Sequence, residues 1–307
     1  MAKLPLLLLC LCLPLNAAAG GSRSYTELFY SEDNEDLSQR SWLLGHEFRP
    51  DGPEGPRASL AAGQRRYADA TRDRDFDTVR AQLDLQPAAG TELRTRLQPL
   101  WGWDWSPVLG SVSLAQTLGR PWRLELSAER ELVDSLDGLD AHLAADTYAL
   151  AVDRRLGEDW TLVAGGSYQD VDDGNQRQGR LLRLIWNPGQ SAGSLQLRAR
   201  RLDSEFRSSA YFSPRRLEEA LLLGQWRQPL FGGKALLSLQ AGGGQQWLEG
   251  GDGEALYQGE LRLRGWLDDR WGLESRVSCS NTGGFGSDAA GSGYRYCEGL
   301  LSLLRAW

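Results

Sequence analysis

From residue 24 to residue 307 apolar and polar positions alternate in stretches of roughly ten to fifteen residues, separated by clusters of Gly, Pro and Asp. Period-two alternation puts successive side chains on opposite faces of an extended strand. Read this way, the chain predicts strands at 24–32, 38–49, 56–68, 74–86, 91–102, 108–118, 122–133 and 146–156. The pattern continues at 159–171, 176–188, 193–206, 216–228, 235–248, 254–268, 270–281 and 292–307. An even count of such strands predicts an all-β fold, a transmembrane antiparallel β-barrel of about 16 strands spanning 20–307, with lipid outside and water inside. A barrel of this size leaves an aqueous channel, whereas a small one is filled by its own side chains.

The alternation also nominates the wet face. Leu93, Thr95 and Leu97 oppose Glu92, Arg94 and Arg96; Leu124, Leu126 and Ala128 oppose Arg123, Glu125 and Glu129. Leu195, Leu197 and Ala199 oppose Arg198 and Arg200, and Leu261 and Leu263 oppose Glu260, Arg262 and Arg264. With Glu274 and Arg276, these charged residues are the candidate lumen lining. Their mixed signs fit ladders that stabilise one another across strands, or a surface offering hydrogen bonds to a hydroxyl-rich polymer.

With the N-terminus periplasmic, the connectors at 50–53, 87–90, 118–121, 156–159, 187–190, 231–234 and 268–270 become short turns rich in turn residues. The connectors at 134–145, 207–215 and 282–291 become longer outward loops. Trp122, Trp160, Trp186, Trp226, Trp266, Trp271 and Trp307 then fall at periplasmic strand ends. Tyr30, Tyr67, Tyr148, Tyr168, Tyr257, Tyr294 and Tyr296, with Trp42, Trp101 and Trp247, fall toward the outer ends. Aromatic rings prefer the two membrane–water boundaries. The aromatic end of the last strand, with Leu301 and Leu303, resembles the terminal strand that the barrel-assembly machinery reads; Arg305 departs from that pattern.

The first residues carry Lys3, an apolar run over 4–15 and small residues at 17–20. That is an export signal, cut after Ala19, and too short for a membrane-spanning helix. The destination is the outer membrane of a Gram-negative cell, with its lipid and lipopolysaccharide as surroundings. The net charge of −7 disfavours nucleic acid. Acidic loops, among them Asp134, Asp137, Asp140, Asp172 and Asp173, favour neutral or cationic passengers at the mouth.

Two cysteines, Cys279 and Cys297, fall on the last two strands. A cross-strand disulfide suits an oxidising periplasm and would contribute about 3 kcal/mol; two free thiols is the alternative. With only His46 and His142 available, no serine–histidine set, metal-ligand cluster or phosphate-binding glycine motif emerges. The reading is a non-enzyme without a cofactor. Gly242, Gly243 and Gly244 fall within a strand, where they permit bending or close packing.

The segment Tyr211, Phe212, Ser213, Pro214, followed by the strand that holds Leu221 and Trp226, resembles the Tyr-Tyr/Phe-Ser-Pro segment in the barrel of exopolysaccharide export porins. That family handles poly-β-1,6-N-acetylglucosamine and cellulose. Pro214 lacks an N–H and holds Ser213 extended, so the segment reads as the entry to a strand. The resemblance implies export of a polysaccharide through the lumen. Family members carry a long periplasmic array of helical repeats before the barrel, which this sequence lacks, so a separate periplasmic repeat protein would supply that conduit. A general polar-solute porin, or a scaffold or adhesion barrel with a blocked pore, are the alternatives.

Overall fold

The computed structural model describes residues 21–34, 36–49, 55–189, 191–282 and 294–306. The expected signal 1–19, the terminal Trp307, most of the 282–291 loop, the turn at 50–53 and residue 190 of the turn at 187–190 lie outside them. The strands are β1 (Arg23–Asp33), β2 (Ser38–Phe48), β3 (Arg57–Ala68), β4 (Asp73–Ala88), β5 (Thr91–Trp101), β6 (Val108–Leu118), β7 (Trp122–Leu132) and β8 (Ala144–Arg155). They continue as β9 (Trp160–Val171), β10 (Gln176–Trp186), β11 (Gly193–Ser204), β12 (Arg216–Leu230), β13 (Ala235–Leu248), β14 (Glu254–Trp266), β15 (Trp271–Ser280) and β16 (Tyr296–Ala306). A single turn of helix, α1 (Leu136–Asp140), interrupts the loop after β7.

Each strand pairs antiparallel with its sequence neighbour, and β1 closes on β16 with Leu28 opposite Leu301. This is a closed 16-strand antiparallel barrel. Closure leaves no edge with unpaired N–H and C=O groups, which a hydrocarbon surround would make very costly.

The register assigns the two faces without ambiguity. Leu28, Leu44, Leu60, Leu97, Leu126, Leu150, Leu182, Leu197, Leu222, Leu261 and Leu301 are all exposed and fall on one continuous face. That apolar belt is the outer wall. The opposite parity carries Arg80 of β4 and Glu27 of β1, whose side chains make a two-point ion pair at 2.9 and 3.0 Å. Two strands separate them along the wall, so the pair crosses the inside of the cylinder.

Both aromatic girdles lie on the outer face. Trp122, Trp160, Trp186, Trp226 and Trp271 mark the periplasmic boundary, and Tyr30, Tyr148, Tyr257 and Trp101 the outer one. Several rings depart from the expected placement. Tyr67 is fully buried on the inner face, Tyr296 shares the inner parity of β16, and Trp266 sits on the inner face of β14 beside Arg23. At strand ends the period-two pattern does not distinguish a boundary ring from a ring that fills the mouth. Arg305 lies directly opposite Trp271 and stacks over its ring at 5.6 Å, so the departure from an apolar residue is absorbed at the interface.

The glycines of β13 mark a crease in the wall. A Cβ at Gly242 or Gly244 would lie 2.0 Å from the Leu222 carbonyl oxygen or 1.9 Å from that of Ala220. Gly63 of β3 is equally tight, with the Trp42 carbonyl oxygen 1.8 Å from a would-be Cβ. All three positions face inward, where a sharply concave wall crowds side chains against the neighbouring backbone. The Cys279–Cys297 disulfide ties β15 to β16 on the outer face, between register partners.

Candidate functional site

Two outward loops fold back over the barrel mouth. The first, 133–143, carries α1, whose start is capped by Ser135: its Oγ accepts from the Gly138 N–H at 3.0 Å. Leu136 and Leu139 of α1 join a buried cluster with Tyr67, Phe76, Leu100, Leu109 and Leu132, chiefly from the inner faces of β3 to β6. Salt bridges from Arg72 and Arg74 to Asp140, at 3.2 and 2.7 Å, fix the polar side of the same turn.

The second loop, 205–215, contains the Tyr211–Pro214 segment. It directly precedes β12, which begins at Arg216, as expected of a strand entry, and beyond that expectation its side chains are buried as a plug. Phe212 packs on Leu217 and Tyr294, with Leu202, Leu248 and Tyr296 around them, so it reaches from β11–β13 to β16. Tyr211 packs on Val133, Leu143, Ala145 and Val171. The two loops touch directly: the Ser135 hydroxyl donates to the Ala210 carbonyl at 2.5 Å.

The β9–β10 turn latches this plug. Asn175, fully buried, shares the two N–H groups of its Nδ2 among the Phe206 carbonyl (3.0 Å), the Tyr211 hydroxyl (3.1 Å) and Ser213 Oγ (2.7 Å), while its Oδ1 accepts from the Phe206 N–H at 3.3 Å. The Tyr211 hydroxyl in turn donates to Asp173 at 3.0 Å. Burial, with Asp173 beside it, pushes that phenol up to about 12, so it stays a donor. Arg177 donates to the Phe212 carbonyl and stacks on the Tyr211 ring.

Beneath the cap is a polar cavity of about 280 Å³, lined by Glu27, Arg65, Arg80, Arg96, Glu131 and Asp134 among others. Asp134, at the foot of the first loop, accepts from the Tyr67 hydroxyl at 3.0 Å. Desolvation in this narrow space raises its pKa, against the pull of nearby Arg65 and the Tyr67 hydrogen bond.

The register places every charged residue nominated for the lumen on the inner parity. On β5 and β7, Arg123 pairs with Glu92 at 3.2 Å and Arg96 with Glu129 at 2.7 Å; Arg94 reaches Glu92 at 3.3 Å, and Glu125 shares that face. On β14 and β15, Arg262 pairs with Glu260 at 3.4 Å, and Arg276 with Glu298 at 2.9 Å; Arg264 and Glu274 stand opposite each other. On β11, Arg200 pairs with Glu219 at 2.8 Å, while Arg198 has no such ion pair among the described residues. Sequence reasoning missed Asn175, Arg177 and Arg183, and read Asp173 only as part of an acidic loop. The alternation within 176–188 already put Arg177 and Arg183 in phase, whereas nothing local marks Asn175 as a latch.

The histidines take no part in the latch. His46 is on the outer face with Nδ1 3.1 Å from Ser24 Oγ, and His142, in the first loop, stacks on Trp105 and contacts Asp104 at the outer rim. Among the described residues no group of three or more His, Cys, Asp or Glu could hold a metal ion.

The architecture is that of the β-barrels of the Gram-negative outer membrane. No protein-family model matches the chain, and no curated protein matches it. Solved structures do. A bacterial polysaccharide outer membrane secretin is similar with a TM-score of 0.71 and 12% identity, over 93% of this chain and 98% of that one. The Pseudomonas aeruginosa proteins OccK7 (OpdD) and OccD3 (OpdP) each give a TM-score of 0.51 at 9% identity. They cover 94% and 93% of this chain, and 98% and 91% of their own. These likenesses extend over the whole barrel and concern its fold.

Proposed function

We propose that this barrel is an outer-membrane channel that passes a polysaccharide, with its outer exit closed at rest by the Tyr211–Pro214 loop. The observation that carries the reading is the buried latch. The hydrogen bonds of the Asn175 side chain all go to one loop, and that loop stretches over a lumen lined with charge. A polymer exit needs a cover that excludes other solutes and yields to a chain arriving from inside. The similarity to a polysaccharide outer membrane secretin supports the same reading, as does the resemblance of the 211–214 segment to that of exopolysaccharide export porins. A separate periplasmic repeat protein would deliver the chain, and the barrel-assembly machinery would insert the barrel.

The mixed-charge wall also suits a general polar-solute porin, in line with the likeness to OccK7 and OccD3. Reconstituted liposomes separate the two. For polysaccharide export, the intact protein gives little flux of small sugars, and deleting 205–214 opens the pore to oligosaccharides. Rapid flux of monosaccharides through the intact protein would favour the general porin. No conductance from either form would favour a scaffold or adhesion barrel.

A further inference from the structure

The inner wall is not uniformly paired. On β5, β7, β14 and β15 most of the inward arginines have a carboxylate within reach. On β9 to β12 the inward charges are Arg177, Arg183, Arg198, Arg200 and Arg227 against a single carboxylate, Glu219. Glu219 is engaged by Arg200 at 2.8 Å.

Arg183 and Arg198 stand directly opposite each other in the β10–β11 register. Neither has a hydrogen bond or ion pair among the described residues, and the Nε atoms of both are buried without a partner. Arg262 and Arg276 are also register partners, but each of them holds its own carboxylate. Like charges directly opposite one another destabilise a sheet, and an unsatisfied buried donor adds to that cost. Among the described residues the carboxylate nearest this arginine group on β9–β12 is Glu219, already held by Arg200, and such a surplus of guanidinium is what a binding surface for an external anion would show.

We infer that Arg183 and Arg198, with Arg200 beside them, form an anion-binding station on the lumen wall, and that the passenger carries carboxylates. Planar guanidinium forks bind carboxylate two points at a time. Two adjacent forks on neighbouring strands suit successive acidic groups of a uronate chain, or a small carboxylate in transit. The acidic outer loops, which had suggested neutral or cationic passengers, then act only at the rim. This deepens the proposed channel function and rests on it for transport, but not for binding.

The test uses the 205–214 deletion variant in detergent micelles, so that the lumen is accessible. Trigalacturonate, monomeric galacturonate and neutral maltotriose are titrated by calorimetry. Trigalacturonate should bind about tenfold or more tighter than maltotriose, and Arg183→Gln/Arg198→Gln should remove that preference. Equal binding of acidic and neutral sugars, or a preference that survives in the double variant, overturns the inference. A trimer that outbinds the monomer indicates a polymeric passenger; equal affinity of monomer and trimer indicates a small carboxylate. Circular dichroism and heat-modifiable gel mobility confirm that the double variant folds. If it does not, Arg183→Lys/Arg198→Lys, which keeps the charge and loses the fork, must still lower trigalacturonate affinity. Reversal potential in a KCl gradient is read in parallel: absence of any current overturns the channel reading and leaves the binding result to decide the station.

Discussion

The Asn175 side chain donates to both the Tyr211 hydroxyl, at 3.1 Å, and Ser213 Oγ, at 2.7 Å, and all three residues are buried. A hairpin turn of the wall thereby holds a loop that begins thirty residues later. Buried hydrogen bonds of this kind cost about 1–3 kcal/mol each when one partner is removed and the other is left unsatisfied. Asn175→Ala should therefore release the 205–215 loop while the barrel stays folded. Single-channel recordings should show a higher open fraction than in the parent protein, at unchanged heat-modifiable mobility. An unchanged open fraction in Asn175→Ala would show that the loop does not cap the pore.

The first loop adds a pH dependence of defined sign. Asp134 faces the narrow cavity under the cap, where desolvation holds its folded pKa above the unfolded value of about 3.9. A carboxyl shifted in that direction binds its proton more tightly when the loop is closed. The closed form is thus fully favoured below the unfolded pKa and loses stability as pH rises toward the raised value. The cap should open more readily as pH is increased from about 4 toward neutrality, and Asp134→Asn should flatten that response. Conductance recorded across this range checks both; a response of the opposite sign would mean that Arg65 and Tyr67 hold the carboxylate ionised.

How much of this was legible in the sequence follows from what sets each feature. Strand number and inner–outer parity were legible because lipid on one side and water on the other impose the same alternation on every residue of a strand. Glu92, Arg94, Arg123 and Glu260 could therefore be assigned a face before any contact was known. Tyr67 and Tyr296 could not be placed, because at strand ends the inner side is as dry as the outer once a loop folds over it. The plug itself was invisible for a related reason. Tyr211 and Phe212 are covered by residues from β8, β9, β12 and the segment before β16, and only closure of the barrel brings those together. The pairing of Arg183 with Arg198 depends on the exact β10–β11 register, which alternation alone leaves undetermined.

The disulfide offers a direct measurement of how much the last hairpin relies on a covalent tie. Cys279 and Cys297 are separated by 18 positions, and closing a loop of that length in the unfolded chain corresponds to about 3 kcal/mol. The backbone ladder of β15 and β16 does not need the bond to form. Cys279→Ser should thus lower the temperature at which the folded band disappears from a gel, without preventing insertion. Identical transitions with and without the substitution would show that the ladder alone sets the stability of this hairpin.

The β13 glycines give the sharpest contrast between neighbouring positions. At Gly244 a Cβ would lie 1.9 Å from the Ala220 carbonyl oxygen, and the backbone of the adjacent strand cannot retreat without breaking its ladder. At Gly243, one residue earlier and on the outer face, the nearest atom is the Leu256 carbonyl oxygen at 3.5 Å, an ordinary contact. Gly244→Ala should consequently cost more than the roughly 1–3 kcal/mol typical of overpacking, because the obstacle is main chain. Gly243→Ala should be nearly neutral and could add to the apolar belt. Refolding into detergent micelles, followed by heat-modifiable mobility, distinguishes them. If the wall is creased inward at β12–β13, only the Gly244 variant fails to refold; equal behaviour of the two would mean that the wall curves smoothly there and the glycines serve no steric purpose.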